Sequence, residues 1–385
     1  MMYGDAMDVE GIGSLLPSSS SPNDSNNNPN SLSAQPPPPP PPSEGVQLVR
    51  ANVSQFLQRV LSDDIVPESS RVIVLDSRLT LRTGFKALLE THTPAAPIWN
   101  PKYNAFIGTL AVSDFADILY YFGTVSTALP RPDPRALSSV LDSNSILHWI
   151  TIKNQNHSNT CQNEFGGNTL SEIRDCVLAE ESLYCACRIL RDQSIAQIPI
   201  YCKSENIMLY ILTHMSIFQF MQRHLALDTS NHAEIVANSD NSVVEALSVF
   251  DVSISELGIG TYGELASVSY SEKVWVALEL MSSRRVSALP VVDEHGMILD
   301  EYTRLDVCQM VVDPGSISVE MTIGDSLRHF RQSPVQVCTC RRTDSLRQIF
   351  HRFDHAQTKR LYCLSDEGEL FGVVSLSDLL GYFLD

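Results

Sequence analysis

Two short segments pair a hydroxyl with a carboxylate three residues later: Thr303-x-x-Asp306 and Ser375-x-x-Asp378. Each follows an apolar, strand-like run and opens a helical pattern. At this spacing a hydroxyl and a carboxylate can satisfy the free N–H groups of a helix's first turn. The same pair at the carboxyl end of a strand can also accept the vicinal hydroxyls of a sugar, as carboxylates do in dinucleotide folds. Asp114 occupies a third such place, although the residue three ahead of it is Ala111. Capping alone accounts for all three aspartates, so the sugar-binding reading depends on what the surrounding elements bring to them.

Those elements are spelled four times. The anchor is "SALPVVD", Ser287 to Asp293, matched by "PAAPIWN" from Pro94, "AQIPIYC" from Ala196 and "KRLYCLS" from Lys359. Three anchors carry a proline at one place, Pro97, Pro199 and Pro290; the fourth has Tyr362. Ahead of each anchor lies an amphipathic helix, with apolar residues at three- and four-residue spacing, such as Val274, Ala277, Leu278 and Met281. After each comes a turn, a second apolar strand and a polar residue opening another helix. Ala288 to Asp306 and Arg360 to Asp378 are both 18 residues apart; Ala95 to Asp114 and Gln197 to Ser216 are both 19. The repeat is therefore helix, strand, turn, strand, helix, in an α/β (α+β) fold. A unit of roughly 60 residues buries little surface alone, so the units are expected to pair, the third face to face with the fourth.

Composition narrows the chemistry. The chain has 385 residues, 43% of them hydrophobic, and a formal net charge of −18. So acidic a chain is a poor binder of nucleic acid or anionic membranes, which require a positive field. No run reaches the ~18 apolar residues of a membrane span; the longest, such as Val72 to Leu75, read as buried strands, and "MMYGDAMDVEGIGSLLP" has no secretory pattern. The nine cysteines, including the C-x-C pairs Cys185/Cys187 and Cys338/Cys340, read as reduced core residues of an intracellular protein. "GIGTYG", Gly258 to Gly263, fits neither a dinucleotide fingerprint nor a P-loop. No H-E-x-x-H or G-x-S-x-G motif is present, so neither a metal nor a catalytic cofactor is expected and the chain reads as no enzyme.

Residues 1–45 are rich in Ser, Asn and Pro and read as a disordered tail, in which Pro36 to Pro42 is expected to form a polyproline II spacer. Lys153 to Thr169 reads as an exposed insertion loop and Leu227 to Ser242 as a linker.

The repeat resembles the CBS domain, and four copies in this order resemble the gamma regulatory subunits of AMP-activated protein kinase. The likeness runs from about Phe56 to Leu384 and is carried most specifically by "LGIGTYGELASV", "RRVSALPVVDEHG" and "GVVSLSDLLGYF". It implies repeats over 56–126, 168–228, 257–314 and 330–385, paired into two Bateman modules that form a flat disk. It further implies a non-catalytic cytoplasmic or nuclear subunit, with alpha-type catalytic and beta-type scaffold partners, that binds AMP, ADP or ATP between repeats to report energy charge. By this likeness Asp306 and Asp378, helped by Thr303 and Ser375, hold ribose at two sites and Asp114 serves a third. Thr261, Ala266, Val286, Ser287 and Ala288 line the adenine and phosphate region, with Lys359 and Arg360 on the phosphates.

The sequence departs from the family where phosphates are held. Basic residues are expected at Pro94, Ala196, Gln197, Met215, Ser216, Lys359 and Arg360, and only the last two are basic. Each charge-assisted bond contributes roughly 1.5–3 kcal/mol, so the losses imply weakened phosphate sensing unless Arg284, Arg285, Arg328, Arg331, Arg341 or Arg342 replaces them. Two alternatives follow: a structural gamma-like subunit with little nucleotide response, or a CBS-repeat regulator of another enzyme or a transporter.

Overall fold

The computed structural model describes residues 44–125, 134–158, 176–224, 249–312, 318–331 and 335–384. The polyproline run, the 227–242 linker and residues 159–175 lie outside them. The described residues belong to one compact unit, Pro39–Asp385.

A helix that the sequence reading did not separate from the tail, α1 (Glu44–Arg59), comes first. The first repeat then supplies β1 (Leu75–Asp76), α2 (Leu81–Glu90), β2 (Ala95–Asn100), β3 (Ala105–Ala111) and α3 (Asp114–Val125). Two helices follow it, α4 (Pro134–Ser143) and α5 (Ile146–Ser158). The second repeat is β4 (Val177–Leu178), α6 (Leu183–Asp192), β5 (Gln197–Cys202), β6 (Ile207–Thr213) and α7 (His214–His224). After α8 (Ile254–Leu257) and β7 (Thr261–Tyr262), the third has α9 (Val274–Ser283), β8 (Ala288–Val292), β9 (Ile298–Thr303) and α10 (Arg304–Gln309). Then come α11 (Ile323–Phe330) and the fourth repeat: β10 (Thr339–Arg341), α12 (Leu346–Ala356), β11 (Arg360–Leu364), β12 (Leu370–Ser375) and α13 (Leu376–Leu384).

The four repeats share backbone detail as well as order. Each folds its two long strands into an antiparallel hairpin, with a register shift at the equivalent place: Ile98/Trp99, Ile200/Tyr201, Val291/Val292 and Cys363/Leu364. Each turns from first helix to first strand through a left-handed residue, His92, Ser194, Arg285 or Gln357. A parallel partner flanks the hairpin in every case: β1, β4 and β10 in three repeats, and the single Val268–Val291 bridge in the third. β7 pairs with β12, so Thr261 belongs to the sheet of the fourth repeat.

The apolar cores do not follow chain order. One merges the first and third repeats, with Phe85, Ile98, Phe115, Leu278, Met281, Leu289 and Tyr302 among its members. The other merges α1 with the second and fourth repeats through Leu57, Leu183, Phe218, Phe350, Phe353 and Phe383. Neighbouring repeats instead meet along their strands. Ala95 and Ala111 pack on Ile211 between the first and second, while the Leu370 amide donates to the Gly296 carbonyl between the third and fourth (3.0 Å).

Two sequence expectations need correction. Lys153 and Asn154 belong to α5, held by the buried Ile146, Trp149 and Ile150, so no exposed loop begins at Lys153. The apolar run Val72 to Leu75 is also not a buried strand. β1 starts only at Leu75, and Val74 is 46% exposed.

Candidate functional site

The hairpin register places one residue of each first strand directly opposite the end of its second strand. The pairs are Ala95 with Ala111, Gln197 with Thr213, Ala288 with Thr303, and Arg360 with Ser375. A cavity of about 960 Å3 lies where these ends converge. Its wall takes Pro94 from the first repeat, Ala196 and Gln197 from the second, Ser287 from the third, and Lys359 and Arg360 from the fourth. Val112 and Ser113 of the first repeat and Thr303, Arg304 and Asp306 of the third also line it. Glu301 and Arg331, the segment Val335 to Thr339 and the α12 residues His351, Arg352 and His355 line it as well.

The three aspartates occupy different environments. Asp114, only 5% exposed, accepts from the Ala111 amide at 2.9 Å and pairs with Lys153 Nζ at 3.1 Å. Its partner comes from the segment expected to be loop, which becomes a helix that closes over the aspartate. Asp306 sits at the third helical position of α10, with Thr303 as the cap. Asp306 Oδ2 accepts from the Thr303 amide (2.8 Å) and hydroxyl (2.6 Å), and Arg331 grips both carboxylate oxygens, Nε to Oδ1 at 3.0 Å and Nη2 to Oδ2 at 2.9 Å. Asp378 has the same local frame, its Oδ2 accepting from the Ser375 amide (2.8 Å) and hydroxyl (2.7 Å). Among the described residues, however, no cation pairs with Asp378 and its Oδ1 accepts no hydrogen bond. Burial raises the Asp378 pKa above the ordinary carboxylate value, and the Ser375 hydroxyl opposes that shift.

The basic residues are mostly committed. Arg331 also donates to Asp300 (2.6 Å) and to the Glu301 carbonyl (2.7 Å). Burial opposes its charge, but Asp306 and then Asp300 outweigh burial, so its pKa rises. Arg360 donates to Glu301 at 2.9 Å and to the Ser287 hydroxyl at 3.0 Å, and Glu301 also accepts from the Tyr362 hydroxyl at 3.1 Å. Arg304 spans from the third repeat to the Ser113 carbonyl (3.0 Å) and Asp117 (2.6 Å) of the first. Arg352 pairs with Asp344 at 3.2 Å. Among the described lining cations, Lys359 has no carboxylate within ion-pair distance; burial and then neighbouring Arg360 lower its pKa, against Glu301.

Of the residues singled out from sequence, Ser287, Thr303, Asp306, Lys359 and Arg360 are gathered at the cavity. Thr261, Ala266, Val286, Ala288, Ser375, Asp378 and Asp114 are not in its wall. Ser375 is nevertheless the direct strand partner of Arg360, and β7 runs beside β12. Of the six arginines considered as substitutes for lost charge, Arg331 alone lines the cavity; Arg342 instead lies over the rings of Tyr262 and Phe371. Sequence reasoning missed Asp300 and Glu301. Their signal was present: at those two places the other repeats carry Gly108-Thr109, Tyr210-Ile211 and Gly372-Val373.

His214, at the start of α7, is another overlooked group. Burial, then the charge of Lys359, lowers its pKa from 6.5 to about 4. The stability that its neutrality contributes is present above pH 6.5 and lost as pH falls toward 4. At 1.36 kcal/mol per pKa unit the loss is up to about 3 kcal/mol. Urea denaturation between pH 7 and 4.5 should show this acid slope reduced in His214→Gln; an identical slope in both proteins would remove His214 as its source.

Comparison with known proteins fits this architecture. Residues 263–313 and 333–385 match the family model of the CBS domain, so the chain carries CBS domains in its third and fourth repeats. Its curated relatives include gamma subunits of 5′-AMP-activated protein kinase. That of Dictyostelium discoideum is 29% identical over 338 residues, covering 86% of this chain and 52% of the relative. The human gamma-3 subunit is 27% identical over 326 residues, covering 85% and 59%. The chain spans little more than half the length of these relatives. A Methanocaldococcus jannaschii crystal structure, proposed as an archaeal homologue of gamma-AMPK, shares the fold with a TM-score of 0.59. It is 13% identical and covers 84% of this chain and all of that one.

Proposed function

We propose that this chain is a non-catalytic, gamma-type regulatory subunit of an AMP-activated Ser/Thr protein kinase, assembled with alpha- and beta-type partners in the cytoplasm or nucleus. Its regulatory ligands are adenine nucleotides: AMP, ADP or ATP. The convergence of all four repeat anchors on one 960 Å3 cavity carries this reading. A cavity of this size suits a ligand of nucleotide dimensions. Asp378, outside the cavity wall but beside it through Ser375, the strand partner of Arg360, is the ribose acceptor with an open oxygen, since Ser375 orients only the other one. Lys359 and Arg360 of the cavity wall face the phosphates, and the adenine side assigned to Thr261, Ala266, Val286 and Ala288 extends beyond that wall. Asp306 can serve only once Arg331 lets go, and Asp114, buried against Lys153, acts as a helix cap.

Calorimetric titration of AMP and ATP into the chain purified with its partners tests the proposal. Binding in the micromolar range is expected, and Asp306→Ala with Asp378→Ala should abolish it while the fold survives. No binding at millimolar nucleotide would remove the sensing role. It would favour a second reading, motivated by the Asp306–Arg331 and Asp114–Lys153 pairs: a gamma-like subunit kept for assembly. Kinase activity would then be flat across an AMP titration.

A further inference from the structure

The acidic pair Asp300-Glu301 has no counterpart in the other three repeats. The hairpin register makes the comparison position by position. Glu301 faces Pro290 across its hairpin, as Thr109 faces Pro97, Ile211 faces Pro199 and Val373 faces Tyr362. Asp300 likewise corresponds to Gly108, Tyr210 and Gly372. Neutral residues therefore suffice to build this strand, and the two carboxylates need another reason.

Their contacts supply it. Glu301 holds Arg360 and Asp300 holds Arg331, at 2.9 and 2.6 Å. All four side chains are only 10–16% exposed. Every nitrogen of the Arg331 guanidinium is occupied: Nε and Nη2 by Asp306, Nη1 by Asp300, and Nη2 also by the Glu301 carbonyl. Arg360 gives one terminal nitrogen to Glu301 and the other to Ser287. To reach Arg331 or Arg360, an incoming phosphate would have to displace a carboxylate already seated in charge-assisted geometry and then lie beside the displaced charge; Lys359 is, among the described lining cations, the one it could meet without doing so. Pro94, Ala196 and Gln197, which also line the cavity, add no positive charge.

We propose that Asp300 and Glu301 are specificity-determining residues that act as built-in counter-ions, cancelling most of what the phosphate would add to nucleotide affinity and leaving the nucleoside part to supply it. This rests on the nucleotide-binding reading of the cavity above. Adenosine then binds the unaltered protein about as well as AMP does. Neutralising Glu301 frees a terminal nitrogen of Arg360 and restores preference for the phosphate, whereas neutralising Asp300 opens only Nη1 of Arg331, whose other nitrogens stay on Asp306 and the Glu301 carbonyl.

The test is calorimetry of the full chain, with its co-purified partners, against adenosine, AMP and inorganic pyrophosphate. Glu301→Gln keeps the side-chain shape and an acceptor for Tyr362, and Asp300→Asn opens only Nη1 of Arg331, which Asp306 still holds. At least a tenfold gain in AMP affinity is expected in Glu301→Gln, about 1.4 kcal/mol, and a smaller gain in Asp300→Asn, with adenosine unchanged in both. Adding Arg360→Ala to Glu301→Gln should erase the gain. Equal AMP affinity in unaltered protein and both variants would overturn the proposal and leave the nucleotide reading standing. Pyrophosphate bound by Glu301→Gln alone, with no AMP or adenosine bound by any form, would uphold the counter-ion role and remove the nucleotide reading. No binding of any probe by any form would overturn both.

Discussion

Arg331→Ala is expected to destabilise the protein by about 3–5 kcal/mol, the range for removing one partner of a buried ion pair. The cost comes less from lost attraction than from what stays behind. Asp300 and Asp306, 16% and 13% exposed, would be left without their shared cation. Unpaired buried carboxylates bind protons more tightly in the folded than in the unfolded state. Folded pKa values raised in this way make stability fall as pH rises through the ordinary carboxylate range. The deficit in Arg331→Ala should therefore shrink on acidification. Urea denaturation at pH 7 and pH 4 measures it. A loss below about 1 kcal/mol at pH 7, or one that does not change with pH, would show that Arg331 is a solvated surface charge. Asp300→Asn in the same background should recover part of the stability.

Phe115→Ala is the second large effect, expected at about 3–5 kcal/mol. Phe115 is fully buried and meets Phe85 edge-on at 5.0 Å between ring centroids. The two phenylalanines belong to the first repeat, yet their core contains Leu278, Met281 and Tyr302 of the third. The cavity left by truncation is thus walled by two repeats, and neither can collapse into it alone. Denaturation followed by separate probes, one reporting on the first repeat and one on the third, should show both transitions shifting by the same amount. A shift confined to the first repeat would mean that the two cores unfold independently.

Much of this architecture was legible in the sequence because the signals are local and repeated. Helices α2, α6, α9 and α12 carry three- and four-residue apolar spacing, and hydroxyls cap three of them, Thr80, Ser182 and Ser345. The strand pairs follow from runs such as Ala105–Ala111 and Leu370–Ser375 flanking turn residues. Helix α1 was not legible: it adjoins a proline run, and its apolar face is explained only by the distant Leu183 and Phe383. Lys153 looked like loop because polar residues follow it, and nothing local predicts its reach to Asp114. Which repeats share a core is equally invisible, since every repeat presents the same kind of apolar helix face. Hydroxyl and carboxylate motifs identified candidates correctly placed at strand ends. Whether a given carboxylate is open or already gripped, as in Asp378 against Asp306, depends on a cation remote in the chain: Arg331 lies 25 residues from Asp306.

The merged cores and shared strands together leave no repeat at the end of a line. The first is joined to the third by helices and the third to the fourth by strands. The fourth returns to the second by helices and the second to the first by strands. The contacts close into a circuit, with the cavity touching every member. A chain of beads would let one repeat loosen at its free end, whereas a circuit has none. Tightening around an occupant therefore has two routes to every repeat, and a weakness introduced at one joint is carried by the other three.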